Sequence, residues 1–253
     1  MLDIKVLASG STGNAYLVGD GKSRLLLDAG ISMQRINAGC EWRISDIAGA
    51  LISHNHQDHS LAVEDLDRRG IKVYGTVHMA ARERKIKALE PMQTVAIGTF
   101  DVVPFRVQHD IPCLGYKLQS VATGDQLVYV TDAAGMPYKF NNINYWLVEA
   151  NYSIDILQKK IEEGMSTARA NRVVNTHMAV EDLESYFDAL DTSMANEIWL
   201  CHLSDDNSDA EDFQQRIRAV TGAPVYIAER RGKYDSPRFI NSIRGSQRGT
   251  VSI

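Results

Sequence analysis

Seven consecutive residues, Ser53-His54-Asn55-His56-Gln57-Asp58-His59, constrain this chain more than any other feature. They follow the apolar stretch 48–52, which reads as a short buried strand. Alternation in an extended turn sends His54 and His56 the same way, while Asp58 and His59 can turn toward a second point nearby. Imidazole nitrogens and carboxylate oxygens are the donors that Zn, Mn and Fe accept. A single histidine is usually a surface residue or a satisfied core residue. Four ligand-type side chains at this spacing point instead to a metal site.

Six residues cannot close two coordination spheres, so more donors must come from elsewhere. The candidates stand at the ends of apolar runs. His109-Asp110 follows 99–107, Asp132 follows 126–131, and His202 follows 197–201. Each taken singly reads rather as a hydrogen-bonded loop residue. Together, behind an HxHxDH cluster, they favour a site at one edge of a sheet.

The rest of the chain supplies the frame. Strands are expected at 4–8, 15–18, 24–27, 48–52 and 71–74, with helices at 60–69 and 80–89. A second strand group follows at 99–107, 115–119, 126–131 and 145–149. Helices at 153–163, 180–190 and 210–220 then alternate with strands at 197–201 and 225–227. Strands first, then helices interleaved with strands, suggest a layered α/β protein rather than one parallel βαβ series. No internal repeat and no Pro-, Gly- or Ser-rich linker divides it. One domain is expected over 1–229, followed by a basic tail, 230–253. That tail carries Arg230, Arg231, Lys233, Arg238, Arg244 and Arg248 against Asp235, and reads equally as a solvated arm or a phosphate-contacting one.

Composition excludes little but usefully. At 44% hydrophobic and 23% charged over 253 residues, the chain is no disordered, collagenous or coiled-coil protein. A net charge of -5 opposes holding nucleic acid by whole-surface charge but leaves room for a local basic surface. Cys40, Cys113 and Cys201 form no CxxC pair, so a reducing compartment is expected. No leader pattern and no apolar run near the ~20 residues of a membrane span are seen. The expectation is a cytoplasmic protein without a membrane segment.

With these residues in place, His54-x-His56-x-Asp58-His59 followed by His109, Asp132 and His202 resembles the metallo-β-lactamase fold superfamily, over roughly residues 2–228. Leu7-Ala8-Ser9-Gly10-Ser11-Thr12-Gly13-Asn14, Leu26-Leu27-Asp28-Ala29-Gly30 and His109-Asp110 with Gly115-Tyr116 resemble its YycJ/WalJ-type branch, as do Thr131-Asp132 and His202-Leu203-Ser204. The resemblance implies a four-layer αββα sandwich with two divalent metals, Zn or Mn, at one edge. It implies that His54, His56 and His109 hold the first metal, that Asp58, His59 and His202 hold the second, and that Asp132 bridges them. It also implies a metal-dependent 5′-to-3′ DNA exonuclease, and a homodimer by analogy.

Val148-Glu149-Ala150-Asn151 and Thr176-His177-Met178 resemble elements of tRNase Z-type phosphodiesterases, in which a carboxylate orients an imidazole that protonates the leaving oxygen. Asp58, Glu149 and His177 are therefore the residues assigned to the chemistry. The plainer alternative has Glu149 capping Asn151 or pairing with a surface arginine, and His177 merely opening a helix. Asp28 either accepts a hydrogen bond from a ligand histidine or simply serves its turn. His78 is read as a non-ligand, and residues 9–14 as a tight turn near the site, since they lack the Gly-Lys-Ser/Thr of a P-loop.

The preferred substrate is DNA, with cyclic nucleotides or other small phosphodiesters second. Thioester or lactam hydrolysis ranks third, because Glu149 and His177 would have no task there. A non-catalytic module is disfavoured by the full donor set. Arg82, Arg84, Lys85 and Lys87, read as one basic helix, and the tail are the candidate DNA contacts.

Overall fold

The computed structural model describes residues 1–136 and 138–228. The basic tail from Arg230 lies outside them. Two sheets face each other. The first runs β1 (Asp3–Ala8), β2 (Ala15–Gly19), β3 (Arg24–Leu27), β4 (Ile47–Leu51), β5 (Val73–Thr76) and β6 (Ile86–Leu89), side by side in that order. β1 to β3 are antiparallel neighbours, and β3 to β6 are parallel.

The second sheet holds β7 (Val95–Ile97), β8 (Phe100–Val107), β9 (Cys113–Ser120), β10 (Gln126–Val130), β11 (Tyr145–Glu149), β12 (Glu197–Cys201) and β13 (Val225–Ile227). Its last four strands are parallel. Parallel strands are covered on both faces and read as continuous apolar runs, which is why Tyr145–Glu149 and Glu197–Cys201 are buried throughout.

Side chains alternate across each sheet and so build three cores. Leu25, Leu27, Tyr145 and Leu147 point inward and fill the space between the sheets, with Tyr129 and Trp199. Leu26 points outward, under α1 (Met33–Gly39) and α3 (Val63–Arg68). Trp146 points outward under α7 (Val180–Asp188) and α8 (Ala210–Thr221), beside Phe187 and Phe213. The outcome is the expected α/β sandwich with helices outside both sheets. The ends of α8 obey local rules: Asp209 accepts from the backbone N–H of Glu211 and Asp212, and Gly222 closes the helix at φ 65°.

One expected element is wrong. Residues 80–89 are not a helix but the end of α4 (Val77–Arg82) and the strand β6. Ile86 and Leu89 are buried where β6 pairs with β5, and this pairing overrides the helical spacing of the charges. The basic residues thus form no helical face. Lys85 pairs with Glu64 at 3.2 Å, and Lys87 lies 5.8 Å above the Tyr74 ring.

Asp20, buried in the β2–β3 turn, ties the sheets together. Its carboxylate accepts from the N–H groups of Lys22 (2.8 Å) and Ser23 (2.9 Å) and from the hydroxyls of Thr99 and Ser120 (2.8 Å) on the second sheet. Burial alone would raise its pKa, but the bonds from Thr99, Ser23, Ser120 and Lys22 outweigh burial and hold it below the ordinary value. Unfolding then takes up a proton, so this stabilisation is complete above pH ~4 and fades as pH falls through the lower folded value. Asp20→Ala is expected to cost about 2–4 kcal/mol in urea unfolding at pH 7, and clearly less at pH 3.

Candidate metal centre

The C-terminal ends of strands from both sheets meet at one edge, the place where open α/β sheets bind ligands. Asp28 follows β3, Ser53-His54 follows β4, His109 follows β8, Asp132 follows β10, Glu149 ends β11 and His202 follows β12. Asp28, Asp132 and His202 all leave their strands through the left-handed region, at φ 54°, 48° and 53°. Such conformations cost energy in non-glycine residues and turn each side chain sharply into the site.

The expected donors converge in two groups. In the first, His54 Nε2 faces His56 Nδ1 at 3.0 Å, and His109 Nε2 faces the same nitrogen at 3.3 Å. His109 Nδ1 donates to the carbonyl of Thr176 (3.2 Å), which leaves Nε2 with its lone pair inward. Burial, reinforced by neighbouring imidazoles, pushes the His54 pKa well below the ordinary value, and burial also lowers that of His109. Imidazole nitrogens packed this closely suit a cation held among them.

The second group is Asp58, His59 and His202. His59 Nε2 lies 3.5 Å from Asp58 Oδ2, and His202 Nε2 lies 3.8 Å from the same oxygen. His202 Nε2 is buried and has no hydrogen-bond partner among the described residues. An orphaned imidazole nitrogen aimed at a carboxylate suits a bound metal. Between the groups, Asp132 Oδ2 stands 3.6 Å from His54, 3.5 Å from His59 and 3.8 Å from His109, and its Oδ1 is 3.3 Å from His202. Burial would discharge His202, but Asp132, Asp58 and Glu149 outweigh it and push its pKa up to about 10. Without a cation, these carboxylates favour a protonated His202 ring, and a metal would take the place of that proton.

Supporting residues fix the rings. Asp28 accepts from His59 Nδ1 (2.6 Å), Ser53 N (2.7 Å), Ser53 Oγ (2.9 Å) and the Tyr129 hydroxyl (2.6 Å). It orients a histidine and is far more than a turn residue. Glu149 is fully buried and takes the Ala133 N–H at 2.8 Å on one oxygen. Its other oxygen faces His177 Nδ1 at 2.7 Å and His202 Nδ1 at 3.1 Å. Glu149 therefore neither caps Asn151 nor meets a surface arginine. Burial alone would lower the His177 pKa, but the Glu149 carboxylate overrides it and raises that pKa. His177 does not open a helix; it closes α6 (Thr167–Thr176), a helix that the sequence pattern does not reveal.

The turn at 9–14 is part of the same construction. Asn14 N donates to the Asp58 carbonyl (2.8 Å), Gly30 N to the Asn14 carbonyl (2.8 Å), and Ala29 N to the His59 carbonyl (2.8 Å). The backbones are so close that a Cβ on Gly30 would stand 1.6 Å from the Asp58 carbonyl oxygen. Gly30→Ala must therefore push Asp58 and His59 aside. A loss of at least about 2 kcal/mol of stability, with weakened metal binding, is expected by thermal unfolding and metal analysis.

These groups floor a cleft of about 630 Å³. Its walls include Ser11 and Thr12 on one side and Arg172, Thr176 and His177 on another. His78 lies on a separate cavity with Arg106 and Leu114, as a non-ligand should. None of Arg82, Arg84, Lys85 and Lys87 borders the cleft. Tyr129 and Arg172 escaped sequence reasoning, because only the fold brings them to this edge.

Residues 23–203 match the Beta-lactamase superfamily domain. The chain belongs to that superfamily. It is 27% identical over 243 residues to exodeoxyribonuclease YycJ of Bacillus anthracis, covering 87% of this chain and 89% of that protein. It is 26% identical over 233 residues to exodeoxyribonuclease WalJ of Streptococcus pneumoniae, covering 81% and 83%. The metallo-β-lactamase fold protein YhfI from Bacillus subtilis superposes with a TM-score of 0.70 at 17% identity, over 90% of this chain and 97% of that one. Superfamily membership makes this chain a metal-dependent hydrolase, and the His/Asp donors that converge at this edge are able to hold a metal ion. Among the described residues no helix is long and apolar enough to cross a membrane.

Proposed function

We propose that this chain degrades DNA from the 5′ end by metal-dependent phosphodiester hydrolysis. The observation that carries the reading is the His177–Glu149 pair, 2.7 Å apart at the wall of the cleft whose floor is the donor cluster. A phosphodiester releases an alkoxide, which needs a proton; a thioester or lactam site gives this pair no task. The names of the YycJ and WalJ relatives support DNA as the substrate.

The donor chemistry fits two divalent cations, Zn or Mn. His54, His56 and His109 would hold one, Asp58, His59 and His202 the other, and Asp132 would serve both. Bound there, such cations acidify a water to hydroxide near neutral pH and offset charge on the phosphate. The chain does the rest. Asp28 fixes the His59 ring, and the Thr176 carbonyl fixes His109, so their Nε2 atoms face the site. Glu149 holds His177 through Nδ1, which leaves Nε2 to give its proton to the leaving oxygen. The Glu149 carboxylate raises the His177 pKa and so favours the protonated ring.

The reading is tested by incubating Mn- and Zn-loaded protein with 5′-phosphorylated DNA and, in parallel, with cyclic nucleotides. Stepwise loss of nucleotides from the 5′ end is expected. Degradation of cyclic nucleotides with DNA left intact would overturn the choice of substrate.

A further inference from the structure

The helix that delivers His177 also delivers an arginine. Arg172 lies one turn before Thr176, whose hydroxyl donates to the Arg172 carbonyl (2.8 Å), and both residues border the metal cleft. Residues four apart share a helix face, so Arg172 stands on the same side as the residues that touch the donor cluster. Its neighbour Arg169 is engaged by Asp206 at 3.2 Å, which anchors α6 to the loop after β12. Among the described residues no carboxylate pairs with Arg172, which is exposed. Elsewhere Arg68 and Arg216 meet acidic partners on or between their helices. A guanidinium left unpaired over a cleft is placed to take a planar, doubly hydrogen-bonded anion from outside, and phosphate is the anion it matches.

The side on which it stands matters. His177 marks where the leaving oxygen must lie, and Arg172 precedes it on the same helix and borders the same cleft. We propose that Arg172 binds a second phosphate of the substrate, on the leaving-oxygen side of the scissile bond, and so selects strands carrying two or more phosphates over isolated phosphodiesters. This rests on the phosphodiesterase reading above and names the substrate class within it. Cyclic nucleotides and bis-p-nitrophenyl phosphate have no such second phosphate. Arg172 is on this view a binding residue and leaves proton transfer to His177.

The test compares Arg172→Ala with wild type on a 5′-phosphorylated 12-nucleotide DNA strand and on bis-p-nitrophenyl phosphate, with metal content and binding of a non-cleavable, 5′-phosphorylated phosphorothioate strand measured alongside. A charge-assisted bond to one phosphate corresponds to a change on the order of 10–100-fold. kcat/KM on the strand is expected to fall by that factor, mainly through KM, and strand binding to weaken in parallel. Turnover of bis-p-nitrophenyl phosphate and metal content should stay within about twofold, and Arg172→Lys should recover part of the loss. Equal losses on both substrates, or no loss on either, would overturn the proposal. Wild-type protein that turns over bis-p-nitrophenyl phosphate but neither binds nor cleaves the strand would instead defeat the DNA reading, and this proposal with it.

Discussion

Replacing His177 by alanine is expected to lower kcat on DNA by about 10²–10⁴-fold, the usual worth of a positioned general acid. Metal content should not change. His177 Nδ1 is turned to Glu149 at 2.7 Å, and its ring stacks on His202 at 5.3 Å; with Asp132, Glu149 and His202 it forms a further set close enough to hold an ion, so metal content decides between acid and ligand. A leaving group that needs no proton separates this role from a merely structural one. p-Nitrophenolate departs as the anion, so His177→Ala should lose far less on bis-p-nitrophenyl phosphate than on DNA. Equal losses on both, or loss of metal, would place His177 among the ligands instead. Glu149→Gln should act in the same direction but less cleanly, because the same carboxylate oxygen also faces His202 Nδ1 at 3.1 Å.

Asp132→Ala is expected to remove both metal binding and activity. Its carboxylate reaches both donor sets, within 3.6 Å of His54 and 3.5 Å of His59. Cations at such a site contribute several kcal/mol of charge stabilisation, so turnover should drop by on the order of 10³–10⁴-fold or more. The fold should survive, because the three cores lie between and outside the sheets rather than at their edge. Metal analysis and far-UV circular dichroism on the same sample check both halves of the expectation. Retained metal at wild-type stoichiometry would show that the two sets do not depend on Asp132.

Much of this centre was legible in the chain. A polar donor placed directly after an apolar strand has nowhere to go but the sheet edge. That reasoning puts His54, His109, Asp132 and His202 at one edge, where the strands that precede them end. The continuous apolar runs of Tyr145–Glu149 and Glu197–Cys201 likewise read as buried parallel strands. Other features were silent for physical reasons. α6 is polar along most of its length, with only Ala170 and Thr176 buried, so no apolar stripe announced it, and Arg172 went unseen with it. β6 carries helix-like charges and becomes a strand only because β5 offers it a ladder. Asp28 showed itself as a carboxylate at a strand end. That it serves Ser53, Tyr129 and His59 at once depends on packing between residues up to a hundred positions apart.

The most direct test begins with protein stripped of metal by a chelator. Mn or Zn is added back in known equivalents while degradation of 5′-phosphorylated DNA is followed, with Asp132→Ala in parallel. No activity in the stripped protein, recovery that saturates near two equivalents, and no recovery in Asp132→Ala are expected. Full DNA degradation by stripped protein, or recovery unaffected by loss of Asp132, would contradict a two-cation phosphodiesterase at this edge.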